Sequence, residues 1–314
     1  MLISIITPCL NAGETLREAL ESVNFPSTGE VEHLIIDACS TDGTLAEASR
    51  HPYLKVLSEP DAGIYDGMNK GARLARGEWL LFLQADDWLP PGTLQAYLNA
   101  IVSSPEAQMI CGGAEAVRKQ VDGWKNVWLV TGDLEKELTV RNIALGEPMI
   151  NARLIRRDVF LALGGFSLEY KLASDRDLLL RAAVAGLGQV GINATTYRYR
   201  WHSGSSTMNE GNALSERLLC ENIQIAKHYL GSISESEKHS VRRWHTRLRV
   251  QGAMNALESW DIASMWRHLA GGVSSDPFWP MAFAGEILRS LPGFLARGGR
   301  TRSQILRSQS EDGK

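Results

Sequence analysis

The stretch FLQADD, residues 82–87, ends a short apolar run with two adjacent aspartates. Together with the residues just before it, the apolar part predicts a buried strand over residues 78–84. In open α/β sheets, ligands bind at the carboxyl ends of the strands, which is where this acidic pair would lie. Two neighbouring carboxylates there are costly unless a cation binds them, and their oxygens suit Mg²⁺ or Mn²⁺. The alternative is a loop whose aspartates cap a following helix, predicted over residues 91–103.

Three apolar runs precede this strand, at residues 3–7, 34–36 and 54–57. Helical patterns of apolar residues lie in the intervals between them. Strands that alternate with helices at this spacing predict an α/β fold with a parallel sheet and crossover helices. Because the carboxyl ends of such strands meet at one edge, we expect one group of polar side chains to converge there: Thr7, Asn11, Asp37, Asp61, Asp86 and Asp87.

Further motifs extend this pattern along the chain. They are SIITPCLN at 4–11, IIDACSTDGT at 35–44, SEPDAGIYDGMNKG at 58–71, GGF at 164–166 and ASDRDLLLR at 173–181. With residues 82–87 they make the chain resemble the inverting glycosyltransferases of family 2, which have the GT-A fold. The string at 59–71 resembles a branch found in O-antigen and exopolysaccharide gene clusters.

This resemblance covers about residues 1–205. They correspond to the GT-A domain, a Rossmann-like, mainly parallel mixed sheet flanked by helices. We expect residues 206–314, which lie outside the resemblance, to form a C-terminal helical extension. The motifs are individually weak, and their order along the chain is what makes the resemblance specific.

The resemblance also implies a metal-held nucleotide diphosphate. Asp87 corresponds to the direct ligand of Mn²⁺ or Mg²⁺, and Asp86 to a group that meets the ribose or completes the metal shell. His202 is a further candidate for the metal shell or the diphosphate. The family usually has Asp where this chain has Gln84. An amide keeps an oxygen but loses the charge, so a weaker metal site or a non-catalytic relative stays an alternative.

The nucleotide pocket follows from the same resemblance. Asp37 corresponds to a contact with the nucleobase or ribose, and many relatives carry a second Asp where this chain has Ala38. Uridine, thymidine and guanosine donors therefore all stay open. Lys70 is either a phosphate contact or a solvated lysine on a helix. The remaining residues expected to line the pocket are Thr7, Pro8, Asn11 and Asp61.

Inversion of a sugar carbon needs a general base on the face opposite the leaving group. The resemblance makes Asp175 the candidate, at the start of a helix predicted over residues 175–185. Since Asp is a favoured N-cap residue, the alternative role of Asp175 is to cap that helix. Asp177 is expected to pair with Arg181 one turn later.

Composition restricts the classes of protein. A net charge of −3 over 314 residues argues against a nucleic-acid partner, which normally needs a basic surface. Four cysteines without a Cys-x-x-Cys pair indicate neither zinc nor a disulfide framework. We expect a cytoplasmic protein without a signal peptide or a bilayer-spanning run.

The composition changes after about residue 206. Helices are predicted over residues 212–229, 234–258 and 262–270. An aromatic stretch at 278–295 follows, together with five basic residues: Arg289, Arg297, Arg300, Arg302 and Arg307. One interpretation is peripheral contact with the anionic inner membrane at its cytoplasmic face. The other is a helix that packs on the catalytic domain before a basic tail.

The combined hypothesis is a metal-dependent inverting glycosyltransferase that extends a lipid-linked oligosaccharide in surface polysaccharide synthesis. Two alternatives come from other classes. A sugar-1-phosphate nucleotidyltransferase would also hold a nucleotide at paired carboxylates. Such an enzyme needs a basic loop after the first strand, and residues 8–13 contain no Arg or Lys, which argues against it. A non-catalytic sugar-nucleotide-binding or scaffold protein is favoured by Gln84 and Ala38 and disfavoured by Asp175.

Overall fold

The structure is a computed structural model of the 314-residue chain. It describes residues 3–23, 29–120, 123–130, 137–146, 148–201, 212–258, 260–273, 279, 281 and 284. The chain divides into two compact units, residues 1–201 and residues 202–314. Each unit is described by itself below.

The first unit alternates strands and helices over its first half. In chain order its elements are β1 (Ile3–Cys9), α1 (Leu16–Ser22), β2 (Val31–Asp37), α2 (Thr44–Ala48), β3 (Lys55–Ser58), α3 (Ile64–Leu74), β4 (Trp79–Phe82), α4 (Thr93–Ser103), β5 (Met109–Gln120), β6 (Gly123–Val130), α5 (Val140–Leu145), β7 (Arg153–Arg156), α6 (Arg157–Ala162), α7 (Ser174–Val184) and β8 (Gln189–Trp201).

The strands form one mixed sheet in the order β3-β2-β1-β4-β7-β5-β6, with β8 beside β5. β3, β2, β1 and β4 run parallel, while β7 is antiparallel to both β4 and β5. The register places Cys9 opposite Asp37 and Asp37 opposite Ser58. The first three strands therefore end side by side, and their following loops share one edge of the sheet.

The core lies on both faces of the central strands. β1 and β4 are buried along their whole length, which explains their continuous apolar sequence. α3 packs on β1 and β2 at close range. A Cβ at Gly71 of α3 would lie 2.4 Å from Ile6 Cγ2, so the final glycine of the motif at 58–71 lets this helix approach the sheet.

The predicted elements differ from the observed ones mainly at their ends. The strand predicted at 78–84 is β4 (Trp79–Phe82), because Gln84 and the aspartates already belong to a turn. The last strand of the unit, β8, begins at Gln189 and pairs with β5 over most of its length.

The second unit contains three helices among its described residues: α8 (Asn212–Ser232), α9 (Glu235–Glu258) and α10 (Ile262–Val273). α9 packs against both other helices. None of the helices in the described ranges is long and apolar enough to cross a membrane. Of the aromatic stretch at 278–295, the structure describes residues 279, 281 and 284, and the arginines that follow lie outside the described residues.

Candidate active site

Asp37 ends β2 at the centre of the parallel edge and has no exposed surface. Its carboxylate accepts hydrogen bonds from Ser58 Oγ at 2.6 Å and from the backbone N–H of Ser40 at 3.1 Å. The Cys9 thiol lies 3.8 Å from its Oδ1. Asp37 thus joins the ends of β1, β2 and β3. Its expected contact with the nucleotide stays a prediction.

Asn11 joins two loops at the same edge. Its backbone has φ of 52°, in the left-handed region that Asn tolerates better than most residues. Its Oδ1 accepts from the Thr41 N–H at 2.9 Å, and its own N–H donates to Ser40 Oγ at 2.8 Å. Asn11 therefore shapes the loop after β1 around the loop after β2.

Thr7 and Pro8 are buried within β1. The Thr7 hydroxyl lies 2.8 Å from His33 Nε2, inside the sheet layer. The Thr7 side chain is therefore bonded within the sheet, and the expected contact of Thr7 with the nucleotide stays a prediction. Burial lowers the pKa of His33 to about 3, so the ring is neutral at physiological pH.

Asp61 lies in the turn between β3 and α3, and Lys70 of α3 reaches back to that turn. Asp61 Oδ1 accepts from the Gly63 N–H at 2.9 Å. Lys70 Nζ donates to the Pro60 carbonyl at 2.6 Å and pairs with Glu59 at 2.9 Å. In the structure Lys70 holds this turn together, and its expected phosphate contact stays a prediction.

The two aspartates after β4 have different surroundings. Asp87 is only 4% exposed, and both of its oxygens accept bonds from β8: Oδ2 from the Tyr197 hydroxyl and Oδ1 from the Arg200 N–H, each at 2.8 Å. Burial and the neighbouring charge of Asp86 raise the pKa of Asp87 well above its usual value, although the hydrogen bonds from Arg200 and Tyr197 lower it. Asp86 keeps more of its surface exposed. Asp86 is thus the more exposed carboxylate of the pair, and the expected role of Asp87 as the direct metal ligand stays a prediction.

Sequence reasoning missed the part that β8 plays in this arrangement. The backbones of Trp88 and Arg198 exchange hydrogen bonds of 3.2 and 3.0 Å, which fixes β8 beside the acidic loop. Arg200 Nε donates to the Asp86 carbonyl at 2.7 Å, and its guanidinium lies about 5 Å from the ring centres of Trp88 and Trp124. Nothing in the local sequence of β8 indicated which loop this strand would meet.

Asp175 lies in the first turn of α7, one residue after that helix begins. The capping alternative is wrong, because the N-cap residue is Ala173. Asp175 Oδ1 accepts from the Arg176 N–H at 2.8 Å and from the Tyr65 hydroxyl at 3.3 Å. Part of the residue is exposed, but protein around the carboxyl removes hydration and raises its pKa, while Arg176 and Tyr65 lower it. A reachable carboxylate of raised pKa has the properties of a general base.

Asp177 is a structural residue, as its spacing to Arg181 predicted. Arg181 Nε donates to Asp177 Oδ2 at 3.0 Å. The same guanidinium donates to the Gly165 carbonyl at 2.7 Å and also to the Leu163 carbonyl. This pair therefore joins α7 to the turn that carries the GGF motif.

Comparison with known proteins identifies the family that this geometry belongs to. The family model described as glycosyl transferase family 2 matches residues 4–164, which is half of the chain. The chain belongs to glycosyltransferase family 2. It is a glycosyltransferase with the GT-A fold followed by a helical region.

Relatives of this family 2 enzyme match most of its length. The PGL/p-HBAD biosynthesis glycosyltransferase of Mycobacterium tuberculosis is 29% identical over 271 residues, which cover 82% of this chain and 97% of the relative. An uncharacterized glycosyltransferase of Haemophilus influenzae is 26% identical over 248 residues, which cover 76% of this chain and 81% of the relative.

Solved structures share the fold at lower identity. S. aureus TarS 1–349 in complex with UDP-GlcNAc has a TM-score of 0.66 at 20% identity, covering 96% of this chain and 93% of the TarS 1–349 chain. The mannosyltransferase PcManGT from Pyrobaculum calidifontis, in complex with GDP-Man and Mn²⁺, has a TM-score of 0.59 at 18% identity, covering 92% and 80%.

The residues of the glycosyltransferase that suit a divalent cation are few. Within the described ranges, no group of three or more His, Cys, Asp or Glu side chains is arranged to hold a metal. Asp86 and Asp87 are close enough for the charge of Asp86 to raise the pKa of Asp87, a repulsion that a cation would relieve. The pair therefore fits an ion whose remaining ligands come from a diphosphate. His202 lies outside the described residues.

Proposed function

We propose that this glycosyltransferase transfers a sugar from a nucleoside diphosphate donor to an acceptor hydroxyl, with inversion at the sugar carbon. The observation that carries the proposal is the hydrogen bond from Tyr65 of α3 to Asp175. It puts the candidate base beside the helix that follows the β3 loop, at the edge where donors bind in such sheets.

The chemistry follows from the groups at this edge. The acceptor oxygen attacks the sugar carbon, and the bond from that carbon to the diphosphate oxygen breaks with its electron pair leaving on the diphosphate. The proton of the acceptor hydroxyl passes to the Asp175 carboxylate. A divalent cation, when bound, supplies positive charge to the leaving diphosphate. Asp86 is the residue proposed to hold it, with Asp87 holding the loop in place through β8.

We further propose a lipid-linked oligosaccharide acceptor in surface polysaccharide synthesis, used at the cytoplasmic face of the inner membrane. Support comes from the string at 59–71, from the aromatic and arginine-rich sequence after residue 277, and from the M. tuberculosis relative named for PGL/p-HBAD biosynthesis. In this proposal residues 1–205 catalyse transfer and the helical extension approaches the membrane.

Donor hydrolysis tests the enzyme class, with water in place of the acceptor. UDP-GlcNAc and GDP-mannose, each with Mn²⁺ or Mg²⁺, are the first donors to use, and release of nucleoside diphosphate is measured. We expect release from one of them, together with free sugar of inverted configuration. Release of pyrophosphate on addition of a sugar 1-phosphate and a nucleoside triphosphate would instead indicate a nucleotidyltransferase. Binding without turnover of any donor would indicate a non-catalytic protein.

The assignment of the metal-binding carboxylate predicts different effects for the two aspartates. Asp86→Asn should remove the Mn²⁺-dependent part of the thermal stabilisation by UDP or GDP, since a bound ligand stabilises by mass action. Asp87→Asn should lower the melting temperature of the free protein but keep part of the Mn²⁺-dependent shift. Asp158→Asn, an exposed aspartate paired with Arg156, is the matched control. The reverse order of effects would return the metal to Asp87.

A further inference from the structure

Tyr65 connects two motifs that are far apart in the sequence. It is the second residue of α3, and its hydroxyl lies 3.3 Å from Asp175 Oδ1 and 3.1 Å from the Leu172 carbonyl. Asp175 is 110 residues further along the chain. The hydroxyl therefore reaches both the candidate base and the backbone just before it.

The Tyr65 ring is held in place by its neighbours. It packs against the Phe166 ring, with 5.0 Å between centroids. Asn69, which lies on α3 like Tyr65, binds both backbone groups of Phe166. Asn69 Nδ2 donates to the Phe166 carbonyl at 2.8 Å, and the Phe166 N–H donates to Asn69 Oδ1 at 2.9 Å. The hydroxyl is thus presented from a fixed scaffold and not from a loop.

A second hydrogen bond joins the same two segments. Lys171 Nζ donates to the Ala62 carbonyl at 3.0 Å, in the turn between β3 and α3. Tyr65 and Lys171 therefore tie the start of α3 to the segment that leads into α7.

We propose that Tyr65 is a positioning residue that holds the Asp175 carboxylate in the orientation that accepts the proton of the acceptor. This inference rests on the proposed function. The Arg176 N–H donates to Oδ1, and the single Tyr65 hydroxyl proton is shared between Oδ1 and the Leu172 carbonyl, so both donors act on Oδ1 and Oδ2 is assigned to the incoming hydroxyl. Among the described residues, the ionisable groups that interact with the carboxylate include Tyr65 on α3, Arg176 on α7 and Tyr199 on β8.

Tyr65→Phe tests the inference, because it removes the hydroxyl and keeps the ring against Phe166. Loss of one hydrogen bond to a charged group should lower kcat for donor hydrolysis about tenfold. The donor KM should stay within about twofold, since the interaction serves the transition state. The acid limb of the kcat/KM profile should move to higher pH, because the Tyr65 hydroxyl lowers the pKa of Asp175. Tyr53→Phe, which removes an exposed hydroxyl bonded to His51, is the control and should change nothing.

A double-mutant cycle separates positioning from general stability. In an Asp175→Asn background, Tyr65→Phe should cause no further loss of turnover, whereas an independent structural role would give a further loss of the same size. If Tyr65→Phe fails to fold, 3-fluorotyrosine at position 65 is the second variant. It keeps the contacts of the ring, and its hydroxyl is a more acidic hydrogen-bond donor. The acid limb should then move to lower pH.

The outcomes for the inference and for the proposed function are distinct. A wild-type protein that hydrolyses no donor overturns the proposed function and this inference with it. An active wild type whose Tyr65→Phe variant keeps the same kcat and the same acid limb overturns the inference alone. A fluorotyrosine protein with an unmoved acid limb does the same.

Discussion

Asn69→Ala should destabilise the catalytic unit through the loss of both hydrogen bonds to Phe166. Asn69 is 8% exposed and Phe166 is 2% exposed, so water has little access to the groups that the substitution leaves behind. Gly165, the residue before Phe166, has φ of 69°, and a Cβ there would lie 2.5 Å from Asn69 Oδ1. The amide therefore sits directly on the turn that the GGF motif forms.

The size of the effect follows from the two bonds. An unsatisfied buried N–H or C=O costs about 1–3 kcal/mol, and the substitution leaves one of each. We expect a loss of about 2–4 kcal/mol in the free energy of unfolding, since part of each group rebonds to water that enters the space. For a unit of this size, that corresponds to a fall of about 5–15 °C in melting temperature. Turnover should fall as well, because Phe166 supports the Tyr65 ring.

Urea unfolding at pH 7, followed by circular dichroism, measures the change. Asn99→Ala is the matched control, because Asn99 is an exposed helical residue whose Oδ1 accepts from Gln95. It should change stability by less than about 0.5 kcal/mol. A loss below about 1 kcal/mol for Asn69→Ala would refute the reasoning, since it would mean that the buried backbone groups of Phe166 find other partners at no cost.

Two further predictions concern ionisation. Because the folded state holds the pKa of His33 at about 3, the unfolded chain binds a proton below about pH 6.5 that the folded chain does not. Stability is therefore lost as the pH falls. The difference in the free energy of unfolding between wild type and His33→Gln, measured by urea unfolding, should shrink by about 2 kcal/mol between pH 7 and pH 5. A difference that stays constant would contradict this prediction. The ionisation of Asp175 changes stability with pH in the opposite direction. Its folded-state pKa is raised, so the ionised carboxylate lowers the stability at neutral pH, and this loss disappears as the pH falls below the folded pKa. Asp175→Asn should raise the melting temperature at pH 7, less so at acidic pH, while donor turnover falls about 10²–10⁴-fold; a variant that loses stability and activity together would indicate a structural role.

The local sequence predicted the elements and the edge at which they place polar groups. Continuous apolar runs such as residues 3–7 form strands buried on both faces, and parallel strands bring the residues after them to a common edge. The bond between Asp177 and Arg181 also followed from sequence, because residues four apart face each other on a helix. These features depend on periodicity and on neighbours within one element, which the amino-acid order contains directly.

Only the tertiary structure decided how deeply each aspartate of the pair at 86 and 87 is buried and which groups bind it. The local sequence does not distinguish Asp86 from Asp87. In the structure, however, β8, which lies more than 100 residues later in the chain, binds both oxygens of Asp87. The contact between Tyr65 and Asp175 likewise spans 110 residues. Such pairings depend on strand order and register, which result from the packing of the whole core. The sequence near either residue therefore does not predict them.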